Sequence, residues 1–461
     1  MQHTYTLSSF ENRLVITLAA ITILLCYSLF LYFNITQELT SDFGTIFNSV
    51  RQYWENRSIY HPVTAITFAD DPKQLFPHAR HGALLTLNLN SPALNLLILP
   101  FTFLKPAAAY ALWQINAVIC FGMSLWLIHK KLIKEIKLSV NLILFILTGF
   151  VFFPVYYNFI IGQVSLFLFF LLTLSWLLKD TSKGVYSAII LGTLFSIKLF
   201  FGIFLVYFIA ARQWKALMVF ILTSIVLNAL AAFIFGFAVF KSYYHTLDTI
   251  RWYGSPTNFS LLGFLPRVFG GYFIGYYRHR TPAQPFFNLP QLTSVIYYIS
   301  CFFIYAGFFW ISQLRLKTHW KRELLFAYSP IAMLLISPLG WNYYFVFLII
   351  PCLILFTHRP ANTYISYILL MLSIFLTGLG YYTSEKVSIS TTFFWDASGS
   401  YALIALLAAT LYTAKKLSVI PQCAVQPVHY QKLYLTLAFF PSYLGLITYT
   451  GFLTLYFLRH P

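Results

Sequence analysis

Charge is what this chain has least of. Asp, Glu, Lys and Arg together supply 9% of its 461 residues, and only 12 residues are acidic. Soluble domains carry roughly 25% charged residues, so a soluble enzyme and a solvated disordered chain are both excluded. Cysteine is thin as well, at five residues. Cys26, Cys120, Cys301 and Cys352 lie in apolar runs and Cys423 stands alone in a polar link, so neither a disulfide framework nor a metal-ligand spacing emerges. The sequence lacks a Walker loop, a His-Glu-x-x-His pair, a nucleophile elbow and a Rossmann fingerprint. Acids within the long apolar runs are missing too, which argues against proton-coupled transport. No internal repeat, low-complexity stretch or soluble domain interrupts the pattern.

What is abundant is apolar: 59% hydrophobic and 20% aromatic residues, with a mean hydropathy of +0.74. The expected fold is all-α, a single integral-membrane domain over residues 1–461 with about 12 or 13 transmembrane helices. The 30 Lys and Arg against 12 acids give a net charge of +18. In a membrane protein that excess fits positive-inside loops and work on anionic lipid headgroups or phosphates, rather than nucleic acid.

Leu14–Gln37 is charge-free, follows Arg13 and lacks a small-residue cleavage site, so it reads as an uncleaved first span. Pro106–His129 leads into Lys130, Lys131, Lys134 and Lys137, a cluster expected on the cytoplasmic side. The amino terminus then lies inside and residues 34–105 outside. Pro154, Asn158 and Gln163 divide Leu138–Leu178 into two spans around an outer turn. Ala216–Phe240 rises again, which makes 241–290 the second outer segment. Gln291–Ser312 descends to Arg315, Lys317, Lys321 and Arg322. Leu324–His358 leaves and returns around Pro338, Gly340 and Asn342; Thr363–Tyr382, Tyr401–Thr413 and Leu433–Leu458 complete the set.

Gly184–Arg212 breaks this rhythm, with Lys198 at its centre and flanks too short for the ~20 residues a crossing needs. A short hairpin or a pair of broken helices is expected. Lys198 then sits within the membrane or at its outer edge, either as a snorkelling turn residue or as a functional cation seeking a partner. The sequons at Asn34, Asn56 and Asn258 are of a kind that arises often by chance.

Eight of the 12 acids fall on the outer face: Glu38, Asp42, Glu55, Asp70, Asp71, Asp248, Glu385 and Asp396. Phe43, Ile46, Phe47, Val50, Tyr53 and Trp54 recur at helical spacing, predicting an amphipathic interfacial helix with Asp42 at or beside its start. Spacing alone favours a capping role for Asp42, with Ser41 as the rival cap. Asn88-Leu89-Asn90-Ser91-Pro92 opens an apolar run to Leu104 that is too short to span and should lie in the interface, Pro92 marking a helix start. The second outer segment carries Ser255 to Ser260 and then Arg267, with Asp248, Arg251, Arg278 and Arg280 nearby. The last two read as a lipid-facing rim. Ser337 to Tyr344 is an outer turn dense in aromatic groups, for which an aromatic belt is sufficient explanation.

In order, these motifs resemble glycosyltransferase family 87. The resemblance runs through Ser41-Asp42-Phe43, the stretch from Trp54 to Tyr60, Asn90-Ser91-Pro92 and Gly162-Gln163-Val164-Ser165. It continues through Ile197-Lys198 before Arg212-Gln213-Trp214, Asn258-Phe259-Ser260 with Arg267, and Ser337-Pro338 with Trp341. It covers roughly Leu14 to Pro351. The chain departs from the family pattern in two places: Leu199 stands where proline often follows the lysine, and Tyr343 and Tyr344 stand where histidine is common after the tryptophan.

The resemblance implies a GT-C type membrane enzyme, typified by mannosyltransferases that use polyprenyl-phosphate-mannose. The expected donor is a polyprenyl-phosphate sugar, with mannose the default, and the acceptor a glycolipid or surface glycan at the extracytoplasmic face of a bacterial inner membrane. Asp42 matches the place of the catalytic acid and would act as general base in an inverting displacement. Lys198 or Arg267 would neutralise the donor phosphate. Asn90, Gln163, Asn258, Ser260, Trp341, Asn342, Tyr343 and Tyr344 complete the expected substrate-binding set, on outer segments 34–105 and 241–290 and neighbouring turns. No cofactor or metal is expected. A lipid or glycan transporter and an O-antigen ligase or polymerase are the competing readings. Paired acids inside spans would favour the first, and basic residues gathered in one large late outer loop the second.

Overall fold

The computed structural model describes residues 14, 17–18, 20–29, 42–64, 85–133, 140–250, 253–255, 257–272, 285–357, 364–379, 397–419, 442 and 444–447. Most of the expected last span lies outside these residues. So do much of Leu14–Gln37, Ser41, Cys423, Arg251, Arg278, Arg280 and the acids Glu38, Asp70, Asp71, Glu385 and Asp396.

The chain is a nearly all-helical, polytopic membrane protein. The helices are α1 (Ala20–Leu29), α2 (Asp42–Arg51), α3 (Pro92–Ile98), α4 (Pro106–Ile133), α5 (Val140–Val151), α6 (Phe153–Ile161), α7 (Ser165–Leu178) and α8 (Gly184–Ile197). They continue as α9 (Ile203–Ala210), α10 (Trp214–Phe235), α11 (Ala238–Asp248), α12 (Leu261–Phe269), α13 (Pro290–Gln313), α14 (Thr318–Ile336), α15 (Ile349–Thr357), α16 (Tyr364–Gly378) and α17 (Ser398–Val419). Among the described residues four helices are long and apolar enough to cross a membrane: α4, α10, α13 and α17. Several others are apolar but short, because polar residues or turns interrupt them. Among the described residues the helices are joined by one short antiparallel ladder, β1 (Val63–Thr64) with β2 (Leu85–Thr86), Val63 opposite Thr86, and by an isolated bridge between Asn258 and Trp341.

Three interruptions of the helices shape the interior. The first lies in the charge-free run after α4, which is interrupted around Pro154 and Gly162; Gly162 takes a left-handed conformation (φ 66°) and ends α6. Gln163 then turns the chain into α7. The second break is at Lys198, whose backbone is extended (φ −138°, ψ 115°); a 3-10 turn over Leu199–Gly202 follows before α9. These are the broken helices that the short flanks predict. The third is at Ser337–Trp341, after which residues 342–348 wind as a 3-10 helix into α15.

The apolar stripe of α2 turns into the protein. Phe43, Ile46, Phe47 and Val50 are fully buried, and the Phe43 ring lies 5.5 Å from Tyr110 and 5.6 Å from Trp113 on α4. Beyond α2 the surface becomes aromatic, with exposed Trp54 and Phe103 packed ring to ring. Pro92 occupies the first turn of α3, and the Ser91 side chain accepts from the Leu94 N–H at 3.2 Å. The same hydroxyl donates to the Ser196 and Ile197 carbonyls, at 2.7 and 2.9 Å, which the end of α8 leaves without helical partners.

Along α14, about 20 Å separates Ile336 from Glu323 at 1.5 Å per residue. Glu323 is buried and accepts from Lys179 Nζ (2.9 Å) and Trp176 Nε1 (2.8 Å), with Lys131 at 3.6 Å. Asp180 pairs with Lys179, and with Arg322 at 3.3 Å. This network ties α4, α7 and α14 together. Asp180, His319 and Glu323 bring ligand-type atoms within 4.8 Å of one another, but Lys179, Lys131 and Arg322 already pair with the two acids.

Candidate active site

A cavity of about 940 Å³ opens between the start of α2, the Thr86–Asn90 strand exit, the 161–163 turn, the Lys198 break and the 336–344 turn. Its wall is mostly aliphatic and aromatic, and among its residues one is acidic, Asp42, and one is basic, Lys198.

Asp42 is the first residue of α2. Gln163 Nε2 donates to Asp42 Oδ2, across 121 positions of sequence. Burial pushes the Asp42 carboxyl above its ordinary value of 3.8, while the Gln163 hydrogen bond and the positive charge of Lys198 pull it back. Thr45, one helical turn on, also faces the cavity and shares a 3.0 Å hydrogen bond with Thr86.

Lys198 has a different neighbourhood. Its Nζ donates to Asn90 Oδ1 at 2.6 Å and lies 5.7 Å from the centroid of the Tyr344 ring. Asn90 is itself oriented, since its Nδ2 donates to Asn88 Oδ1 at 3.0 Å and the Tyr60 hydroxyl donates to its carbonyl at 2.7 Å. Helix geometry brings Lys198 here: the chain leaves α8 extended at this one residue.

Trp341, Asn342, Tyr343 and Tyr344 form the opposite wall. The Tyr343 ring stacks on Tyr157, its centroid 6.3 Å away, and Asn158 Nδ2 donates to the Tyr343 carbonyl at 2.8 Å. Tyr344 meets Phe200 edge-on at 4.7 Å. Asn342 Oδ1 is buried in this wall and has no hydrogen-bond partner among the described residues.

Asn258, Ser260 and Arg267 are not part of the cavity lining. Asn258 is fully buried and acts as a hub. Its Nδ2 donates to the Tyr253 and Pro338 carbonyls, both at 2.8 Å, and its Oδ1 accepts from the Gly340 N–H at 2.8 Å. Ser260 caps α12, accepting from the Gly263 N–H at 3.0 Å. Arg267 donates to the carbonyls of Gly263 (2.8 Å) and Asn258 (3.2 Å). The Gly263 carbonyl one turn back and the Asn258 carbonyl ahead of α12 hold the guanidinium, and Asn258 and Ser260 brace the turn that carries Trp341.

The structure thus brings together Asp42, Asn90, Gln163, Lys198, Trp341, Asn342, Tyr343 and Tyr344. It adds Thr45, Thr86, Tyr157, Tyr243, Tyr253 and Tyr305, which the sequence pattern does not single out. Thr45 was within its reach, being one turn from Asp42 on the same helix. The tyrosines were hidden in a chain that holds 33 of their kind.

Residues 88–338, more than half of the chain, match the family model for glycosyltransferase family 87. Asp42 lies before the matched stretch and Trp341 to Tyr344 just after it. Neither the curated proteins nor the solved structures gave a match.

Proposed function

From the premise that the chain belongs to glycosyltransferase family 87, and is an integral-membrane glycosyltransferase, we propose that the cavity transfers a sugar from a polyprenyl-phosphate donor to a glycolipid or surface-glycan acceptor. Mannose is the first sugar to test. The reading is of a GT-C type enzyme working at the extracytoplasmic face of a bacterial inner membrane.

The observation that carries it is that one carboxylate and one ammonium share a cavity whose wall is otherwise uncharged and mostly aliphatic and aromatic. An acceptor hydroxyl beside Asp42 gives its proton to the carboxylate as its oxygen bonds to the anomeric carbon. The bond from that carbon to the phosphate oxygen breaks, and polyprenyl phosphate leaves with the electron pair. Lys198 stabilises the negative charge that builds on the departing phosphate. One displacement inverts the anomeric centre. The aromatic wall offers faces for the sugar ring, and Asn342 Oδ1 an acceptor for a sugar hydroxyl.

Lipids that co-purify with the protein should include a polyprenyl phosphate by mass spectrometry. The protein reconstituted with radiolabelled polyprenyl-phosphate-mannose and extracted envelope lipids should form a labelled glycolipid. Normal transfer by Asp42→Asn in that assay would remove the proposed mechanism. Sidedness is tested in a cysteine-free background, where His61→Cys should react with an impermeant thiol reagent from outside intact cells and Thr318→Cys should not. Both positions are exposed. The reverse pattern would put the cavity on the cytoplasmic side.

A further inference from the structure

We infer that Gln163 is a positioning residue for Asp42, fixing one carboxylate oxygen so that the other is directed at the reaction, and is not a ligand of the sugar or its phosphate. Its catalytic consequence rests on the reading of Asp42 as the base; the contact itself does not.

The side chain is only 5% exposed, and both of its polar atoms are used inside the protein. Oε1 accepts from the Val164 N–H at 3.3 Å, and Nε2 donates to Asp42 Oδ2. A backbone N–H can only donate, so the amide oxygen must face Val164 and the amide nitrogen must face the carboxylate. The orientation follows from the partners.

The turn bearing Gln163 is built to arrive at this point. A Cβ on Gly162 would lie 2.8 Å from the Cβ of Phe43, the residue after the acid, so the bare glycine backbone is what permits the approach. From α4, Trp113 Nε1 donates to the Gly162 carbonyl at 2.9 Å and Gln114 Nε2 to the Phe159 carbonyl at 3.0 Å. The Gln163 N–H closes on the Asn158 carbonyl at 3.1 Å. Each of these struts ends on backbone, and the Gln163 side chain is left to be delivered to Asp42.

An amide suits this task chemically. It donates to the ionised carboxylate and opposes the effect of burial, yet adds no charge and cannot take the proton. Lys198, from the break after α8, is the charged group acting on Asp42, and Tyr343, from the 3-10 turn, is a titratable group close enough to feel the carboxylate.

Gln163→Glu separates this role from a plain structural one. It keeps the length and an acceptor for the Val164 N–H, but sets a second carboxylate against Asp42. Gln163→Leu removes both bonds. In the purified full-length protein, the hydrophobic reagent dicyclohexylcarbodiimide modifies protonated carboxyls, and peptide mass spectrometry reads its addition to Asp42 without any substrate. The midpoint pH for that modification should rise by about one unit or more in Gln163→Glu and by less in Gln163→Leu. Transfer by Gln163→Glu should lose about 10–100-fold in kcat with donor KM near wild type. An unchanged midpoint in both variants overturns the inference. So does a raised donor KM with kcat preserved, which would make Gln163 a substrate ligand. Shifted midpoints alongside normal transfer by Asp42→Asn would sink the base assignment while upholding the contact.

Discussion

Two clusters of charge among the described residues are handled in opposite ways. Around Glu323 every charge meets its opposite, through Lys179, Lys131, Asp180 and Arg322. In the cavity, Asp42 and Lys198 are each held by a neutral amide, Gln163 and Asn90, and among the described residues neither has an ion-pair partner. Ion pairing satisfies a charge and closes it to further use. An amide fixes its position and leaves the charge uncompensated, which suits a site awaiting a proton or a phosphate. The first arrangement joins helices; the second, on the proposed reading, prepares chemistry.

Mutations can break that contrast. The largest expected effect is that of Asp42→Asn, which should lower turnover by ~10²–10⁴-fold while the thermal midpoint in detergent barely moves. Because the base must be ionised and its carboxyl is raised above 3.8, wild-type transfer should fall as pH drops through that raised value. The acid limb of the rate profile should therefore lie above 3.8. Glu323→Ala should do the reverse, costing about 3–5 kcal/mol of stability by removing the buried carboxylate that Lys179, Lys131 and Trp176 share. Surviving protein should still bind donor, which a fluorescence or filter-binding titration would read. Lys198→Met should raise the donor KM about tenfold or more through the lost charge-assisted contact, with folding intact; an unchanged KM would return Lys198 to a snorkelling role. Arg267→Lys should cost about 1–2 kcal/mol through its lost carbonyl contacts and leave donor KM alone. The smallest effect concerns pH. Burial works to raise the Asp180 carboxyl, but Lys179, Arg322 and His319 hold it below 3.8. Its contribution to stability is thus present above the ordinary carboxylate range and lost only as pH falls through the lower folded value. A melting series from pH 7 to pH 3 would show it.

The sequence carried much of this, unevenly. Length and hydropathy were enough for the helical membrane fold, because a bilayer demands long apolar runs. The helix at Asp42, the Ser91–Pro92 start and the break at Lys198 followed from local rules about spacing, caps and charge. Gly162 marked a turn that local rules could find, but not the 121-residue reach from Gln163 to Asp42, which depends on how α4 packs. Asn258 and Arg267 show another side of this. They read as ligands from an outer segment, and the structure gives them hydrogen bonds to backbone carbonyls and amides of their own and the neighbouring turn, which no spacing rule announces. Nothing in a one-dimensional pattern separates a polar group that faces a cavity from one that braces its wall.

The hydroxyl of Ser91 caps the start of α3 and serves the open carbonyls at the end of α8 at the same moment. One oxygen atom is therefore a rivet between two segments more than a hundred positions apart. Asn90 precedes it on one side and Lys198 follows its partners on the other, so acceptor oxygen and ammonium keep their spacing as a single rigid piece. A substrate entering the cavity finds no hinge along this seam, and whatever gives way to admit it must belong to another wall.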